Sequence, residues 1–417
     1  MLLGYGQILT VVPRAMPQPT DIATPRVAPS FLSKPEVLAF AARAFAWFSS
    51  LTEKPLRIGT NIIVGRHADA VDVLSRDLEF RIGPINAAKI VAVNGPFILG
   101  LDRGATLVHE RAALYRALAK ADLKSLRSQV ENEAKAHIAA AGGEIDAVGG
   151  YARPIAAKSA QTLFGISGMN PTDFVDVARA LFGHIFLNLG DDKEIEARAL
   201  RAAPFLRDWL LTEIQARRQS GRRVPDMMDA LLHDPEIPAT SAGNDLVRRT
   251  LGGMLVGSID TTATCVAKIL TIVGQDKTLA AGIAADVDNF PRLHGWCWEA
   301  LRRWPHNPLV LRSAAIDTQI AGVEVQANDR IFVYTQAAML DTSVFPDPHV
   351  LNPARPLRPY LHFGGGLHPC SGRDVNAFQI PMLVGALVRR GIKSVGTIDW
   401  AGPFPDRLPV TFNRTSP

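Results

Sequence analysis

The stretch HFGGGLHPCSGRD, His362 to Asp374, decides how the rest of the chain is read. Gly364, Gly365 and Gly366 precede Cys370, and Gly372 follows it. Glycine tolerates positive φ and lets a backbone approach a flat surface closely. The residues after the cysteine, SGRDVNAFQIPMLVGALVRR, pattern as a helix. Cys370 therefore stands next to a helix N-terminus, where free N–H groups and the dipole favour a thiolate. A thiolate in a loop shaped for close approach suits a metal ligand, with Phe363 placed to shield the sulfur from water. The commoner fate of a free cysteine is that of a small buried hydrophobe, and glycines before a helix often do no more than make a turn. A phosphate-binding loop is excluded, because no Gly-Lys-Ser/Thr follows.

The rest of the composition narrows the class. The chain has 417 residues, 47% hydrophobic and 20% charged, a balance typical of a globular protein with a large core. Its net charge of +5 is scattered rather than blocked, and no arginine-rich or aromatic-basic tract points to nucleic acid. Three cysteines, Cys265, Cys297 and Cys370, are too few for a disulfide framework and form no CxxC pair. A reducing, cytoplasmic setting fits them. The apolar run near Met1 is too short to span a membrane, and prolines from Pro13 to Pro29 follow it. Residues 1–30 are read as a loosely tethered arm and residues 31–417 as a single domain.

Apolar spacing predicts helices over KPEVLAFAARAFAWFSSL, ATLVHERAALYRALAKADLKSL, TDFVDVARALFGHIFLNLG and KEIEARALRAAPFLRDWLLTEIQARRQ. A long helix, apolar on all sides, is expected from Asn244 to Val273. Strands are fewer: a hairpin in LRIGTNIIVG, alternation in LVLRSAAIDTQIAGVEVQANDRIFVYT with turns at Ala321-Gly322 and Ala327-Asn328, and one strand in PDRLPVTFNR. The expected fold class is mainly α with small β-sheets.

Phe363, Gly366, Cys370 and Gly372 fit the pattern FxxGxxxCxG, with His368 two residues before the cysteine. Here the sequence resembles the cytochrome P-450 family of haem-thiolate monooxygenases, from about Pro55 onward. The resemblance implies a triangular, mainly α prism with haem b between a long distal helix and the cysteine loop, and Cys370 as axial iron ligand. Gly364, Gly366 and Gly372 would then clear space for the porphyrin.

Further motifs occur in the order of that family. Glu299 and Arg302 lie three apart on one helical face among Trp296, Cys297, Trp298, Leu301 and Trp304. An exposed pair of this kind contributes little, but so apolar a setting predicts a buried one. The resemblance implies a third partner, Arg355, with Leu351 where phenylalanine is common, and a role in locking the core. In MLVGSIDTTATCV, Asp260, Thr261 and Thr262 are awkward in a helix interior, and Gly257 and Ser258 permit a kink or π-bulge. A solvent-facing stripe is the ordinary alternative, but Met254, Leu255, Val256, Ile259 and Val266 leave little wet face. The resemblance implies that Thr261 hydrogen-bonds dioxygen and Asp260 links the site to solvent for proton delivery. Ser258, where a second glycine is frequent, is a departure. It also implies that His109, Arg312 and His368 hold the haem carboxylates. Ala113 stands where the family often has arginine, so Arg111 or Arg116 is expected to substitute.

The implied substrate pocket contains Ile90, Val91, Val93, Phe97, Ile98, Leu99, Met254, Val256, Leu309 and Val310. All are apolar, which suggests a terpenoid, a fatty acid or an aromatic hydrocarbon. The segment FGHIFLNLGDDKE breaks at Gly190-Asp191-Asp192 and is read as a lid. Electrons are expected from a separate ferredoxin and its reductase, docking near Arg116, Lys120 and Arg373. The protein is expected to be a monomer without a membrane span. Peroxide-driven chemistry, as in a peroxygenase or hydroperoxide isomerase, and a non-catalytic haem sensor are the alternatives.

Overall fold

A computed structural model describes Ile22, residues 54–167 and residues 170–413. The first of the helices expected from sequence, KPEVLAFAARAFAWFSSL, lies outside the described residues. So does the arm, apart from Ile22. That residue is buried in the main core.

Short polar side chains set many of the helix starts. Helix α1 (His67–Ser75) is followed by α2 (Gly83–Asn94) and α3 (Ala105–Lys120). Next comes α4 (Leu123–Ala140), whose cap Asp122 accepts the Ser125 N–H at 2.9 Å. The sequence expectation of one helix over 105–126 is thus corrected: Asp122 captures a backbone donor and starts a new helix. Helices α5 (Arg153–Phe164) and α6 (Pro171–Phe182) lead into a π-turn, Gly183–Leu187. Asp192 then caps α7 (Lys193–Ser220), accepting from Glu194 and Ile195. After α8 (Met227–Leu232) come α9 (Ser241–Val256), α10 (Asp260–Gln275), α11 (Lys277–Asp286) and α12 (Phe290–Arg303). A short α13 (Thr335–Ala338) and α14 (Arg373–Arg390) complete the set.

The long helix expected over 244–273 is broken at residues 257–259, between α9 and α10. Hydroxyls take up carbonyls around the break. Ser258 Oγ donates to Leu255 O at 2.8 Å, Thr261 Oγ1 to Gly257 O at 2.5 Å and Thr262 Oγ1 to Ser258 O at 3.0 Å. Such back-bonding competes with the helical ladder and bends it. The run Ser241–Gln275 could cross a membrane by length and composition, but 72% of its most apolar window is buried inside the protein.

Strands β1 (Leu56–Ile58) and β2 (Asn61–Val64) form the expected hairpin. They join β3 (Phe80–Arg81), β5 (Val310–Ala314) and β8 (Arg330–Val333) in one sheet of order β1-β2-β8-β5-β3, with β2 and β8 parallel. β6 (Thr318–Ile320) and β7 (Val323–Val325) pair alone. The turns around them hold Ala321, Gly322 and Asn328 at positive φ. The tail makes two strands where one was expected. β11 (Phe404–Arg407) pairs with β10 (Asp399–Ala401), while β12 (Pro409–Phe412) lies between β4 (Glu144–Asp146) and β9 (Ile392–Val395). The main core is built from helices, and a smaller cluster sits under the five-stranded sheet.

Candidate active site

The α9–α10 pair is mostly buried, but Met254, Gly257, Ser258, Thr261 and Cys265 keep partial exposure. Their spacing of three and four residues makes one stripe. Cys370 is also accessible, and it is near enough to Cys265 to add to the upward push that burial gives the Cys265 thiol. The C-terminal part of the stripe therefore lies near the cysteine loop, and Thr262 Oγ1, 2.9 Å from Asn376 Oδ1, joins α10 to the helix that follows the loop.

The cysteine loop is shaped by backbone contacts. Cys370 N–H donates to Phe363 O at 2.9 Å, and Gly364 N–H to Leu361 O at 3.1 Å. Gly364 and Gly366 both have φ of +66°. A Cβ on Gly366 would stand 1.6 Å from Leu74 O, so this glycine serves close packing against α1. A Cβ on Gly372 would stand 3.7 Å from Cys370 Sγ, an ordinary contact. Crowding by protein pushes the Cys370 thiol up, while the Gly372 N–H and Arg373 pull it down. Phe363 packs against Trp298, with ring centroids 5.8 Å apart.

Behind the loop, Glu299 and Arg302 are fully buried and joined by two hydrogen bonds of 2.8 and 3.0 Å. Arg355 Nε reaches Glu299 Oε2 at 3.3 Å. Tyr360 OH donates to Glu299 Oε1 at 2.6 Å and Asn352 N–H to Oε2 at 2.9 Å, two partners the sequence spacing did not reveal. Burial raises the Glu299 pKa, but the bonds from Arg302 and Tyr360 outweigh it and hold the carboxyl below its ordinary value. Arg302 and Arg355 go on to carbonyls of the 339–350 segment. Thr262 Oγ1 lies 2.9 Å from Asn376 Oδ1, tying α10 to the helix that follows the cysteine.

Asp260 opens α10 and is 7% exposed. Arg179 donates to it twice, Nε to Oδ2 at 2.8 Å and Nη2 to Oδ1 at 3.0 Å. Arg153 Nε adds a bond to Oδ1 at 3.1 Å. Both arginines also approach Asp406 on β11, at 3.4 and 3.8 Å. The two cations come from α5 and α6, too distant in sequence to be predicted as partners.

Three basic groups gather beside the cysteine loop. Arg111 donates to Leu367 O at 2.7 Å. Arg312 is 5% exposed, makes no ion pair among the described residues, and is pushed down to about 10 by burial, so it stays cationic at neutral pH. His368 is driven to about 4 by burial and then by Arg312, with Arg111 adding to the effect. It is therefore a neutral hydrogen-bonding group. His109 is not with them. It is largely exposed on α3 and lies 3.7 Å from Glu236, which corrects its expected role. Arg116, seven residues on, shares that outer face and is held by Asp234 and Glu236. Of the two arginines expected to substitute for Ala113, Arg111, turned the other way on the helix, is the one that reaches the cysteine loop.

The pocket residues divide. Val93, Phe97, Val256, Ile90 and Ile98 are buried, and Met254, Leu99, Leu309 and Val310 half-buried. Val91 is an exception, exposed on the outer face of α2. The Phe97 ring lies directly on Gly253, where a Cβ would clash at 2.5 Å. Lys89 Nζ joins α2 to the expected lid, bonding Asn188 O at 2.5 Å and Asp191 at 2.8 Å.

No cluster of three metal-binding side chains occurs among the described residues, so Cys370 would be a lone protein ligand. Such a donor set fits a porphyrin, which supplies the remaining in-plane ligands. The unpaired Arg312 cation, with Arg111 and His368, fits its carboxylates. A fold of this kind with this site defines a haem-thiolate protein. The cytochrome P450 family model matches residues 176–390, and the chain belongs to that family.

The relatives are varied. A bifunctional dioxygenase (DOX)-epoxy alcohol synthase (EAS) of Pyricularia oryzae is 42% identical over 125 residues, 24% of this chain and 11% of that protein. The cyclooctat-9-en-7-ol 5-monooxygenase of Streptomyces melanosporofaciens is 27% identical over 46% of this chain and 47% of its own. The chain thus spans less than two thirds of the length of the first curated relatives it matches. Among solved structures, CalO2 superposes with a TM-score of 0.79 at 19% identity, over 93% of this chain and 99% of its own. P450BioI, solved with hexadec-9Z-enoic acid ligated acyl carrier protein, gives 0.77 at 17% identity, over 92% and 100%.

Proposed function

We propose that the protein is a haem-thiolate monooxygenase, inserting one oxygen atom from O2 into a hydrophobic small molecule. The observation that carries this reading is the accessible Cys370 thiol in its glycine loop, next to a helix bonded to α10, with the Asp260-Thr261 acid–alcohol pair at the α9–α10 break. The haem, when bound, supplies O2 binding and activation, and its thiolate ligand favours O–O cleavage. The chain's own residues do the rest. Cys370 holds the iron, and Arg111, Arg312 and His368 hold the carboxylates. Thr261 presents a hydroxyl from the helix break, where its bond to Gly257 O fixes the rotamer. Asp260 delivers protons to it, and must loosen from Arg179 or Arg153 to do so. The apolar walls around Phe97, Met254 and Val310 exclude water and favour a terpenoid, fatty acid or aromatic hydrocarbon.

Electrons come from a separate ferredoxin and ferredoxin reductase. Exposed Lys120 and Arg373 are the docking candidates; Arg373 has one long contact, 3.6 Å to Asp374, whereas Arg116 is held at 2.7 and 2.9 Å by Asp234 and Glu236. We take residues 31–417 as one domain, because the main core cluster draws on residues from Ile90 to Phe412 and Tyr360 packs against both it and the smaller cluster under the five-stranded sheet. We read the protein as a cytoplasmic monomer. Turnover under isotopically labelled O2 with a ferredoxin system tests the reading. One labelled oxygen atom in the product supports it. Turnover with peroxide alone and none with the ferredoxin system points instead to a peroxygenase or hydroperoxide isomerase.

A further inference from the structure

Lys268 lies seven residues after Thr261 and three after Cys265, so it continues the same face of α10. It is 6% exposed. Its Nζ donates to Pro305 O at 2.6 Å and more weakly to His306 O at 3.3 Å, and it sits 5.2 Å from the Trp304 ring centroid. No carboxylate pairs with it among the described residues. Buried lysines are rarely left without an anion, because the desolvated charge is costly.

His306 stands beside it. Its Nδ1 is buried and has no hydrogen-bond partner. Its ring meets Phe182, the last residue of α6 and the first of the segment read as a lid, at 5.8 Å. Phe182 in turn contacts Phe186 and Phe404 at 4.9 and 6.1 Å. An unpaired cation and an unpartnered imidazole nitrogen thus lie together at the edge of an aromatic cluster. Burial, with Lys268 adjacent, pushes His306 to about 3, so the ring is neutral and can present a donor N–H.

We infer that Lys268 and His306 form a subsite for the carboxylate of a hydrophobic carboxylic acid substrate. The carboxylate would pair with the Lys268 ammonium and accept from His306 Nδ1, while the apolar body runs along the stripe. Seven residues of helix separate Lys268 from Thr261, about 10 Å, so the carbon near Thr261 would be internal rather than next to the acid group. The inference rests on the reading of the stripe as the substrate wall.

The test uses the haem-loaded protein with laurate, palmitate and 1-naphthylacetate, each beside its methyl ester. Binding is read by spin-state shift and, independently, by equilibrium dialysis. At least one acid is expected to bind about tenfold tighter than its ester, as a charge-assisted contact provides. Lys268→Arg should keep that preference, Lys268→Met should abolish it, and His306→Phe should weaken it. A carbon monoxide spectrum of each variant shows whether the haem centre is intact. Dialysis reads the preference without the haem spectrum, so failure of the thiolate assignment and failure of this subsite are distinguishable. No acid preference in any pair overturns the inference. So does a preference that survives Lys268→Met, or, should that variant not load haem, one that His306→Phe leaves unchanged.

Discussion

Arg179 grips Asp260 through both carboxylate oxygens, at 2.8 and 3.0 Å, and Arg153 shares one of them. The acid next to Thr261 is therefore anchored to α5 and α6 rather than free in the pocket. Proton delivery requires this grip to open. Asp260→Asn should leave binding near normal and slow product formation by about 10²–10⁴-fold, the usual range for a lost proton-transfer group. A larger solvent isotope effect should accompany the loss. An unchanged rate would remove Asp260 from the relay.

The carboxylate-holding groups are separable by haem retention. Arg111→Leu and Arg312→Leu should speed haem loss to a scavenging globin. His109→Leu should not, because His109 faces Glu236 on the outer surface. Fast loss from the His109 variant alone would reverse this assignment.

Glu299 is held by Arg302, Tyr360, Asn352 and Arg355. Removing one partner of such a buried pair costs about 3–5 kcal/mol. Arg302→Leu should lower the midpoint of denaturant unfolding accordingly. The folded pKa of Glu299 lies below its ordinary value of 4.5, so its contribution is complete above that value. It is lost as pH falls below 4.5 toward the folded value. An acid-unfolding curve should therefore lose a component when Glu299→Gln is made.

Gly366 has φ of +66° and its missing Cβ would overlap Leu74 O. Gly366→Ala should cost about 1–2 kcal/mol for the left-handed backbone alone, with the clash added. Reduced haem loading and a lower melting temperature are expected. Gly372→Ala, where the nearest contacts are 3.7 Å, should be milder.

Lys89 ties α2 to the segment read as a lid, through Asn188 O and Asp191. Lys89→Ala should accelerate substrate release in stopped-flow spin-state measurements, and high salt should have a similar effect on the parent, since the pair is partly exposed. A release rate unaffected by either change would show that the lid is held elsewhere.

Much of this architecture was legible because it depends on spacing. The Glu299–Arg302 pair is one helical turn apart, and Gly257 and Ser258 mark where the long apolar helix can kink, although not that it ends there. Asn328 and Gly322 mark turns because few residues tolerate their φ. What stayed hidden depends on distant packing. Tyr360 joins Glu299 across 61 residues, and Arg153 reaches Asp260 across 107. The choice of Arg111 over His109 depends on which way α3 is rotated, and only the pairing of its outer face with Asp234 and Glu236 fixes that. The parallel contact of β2 with β8 joins segments more than 260 residues apart, beyond any local pattern.

The most direct test is a carbon monoxide difference spectrum of the reduced, haem-loaded protein beside Cys370→Ala. A far-red Soret band in the parent that disappears in the variant is the predicted result. A parent that takes up no haem, or a band typical of histidine ligation that survives the substitution, would contradict the assignment of Cys370 and with it the roles given to Thr261 and Asp260.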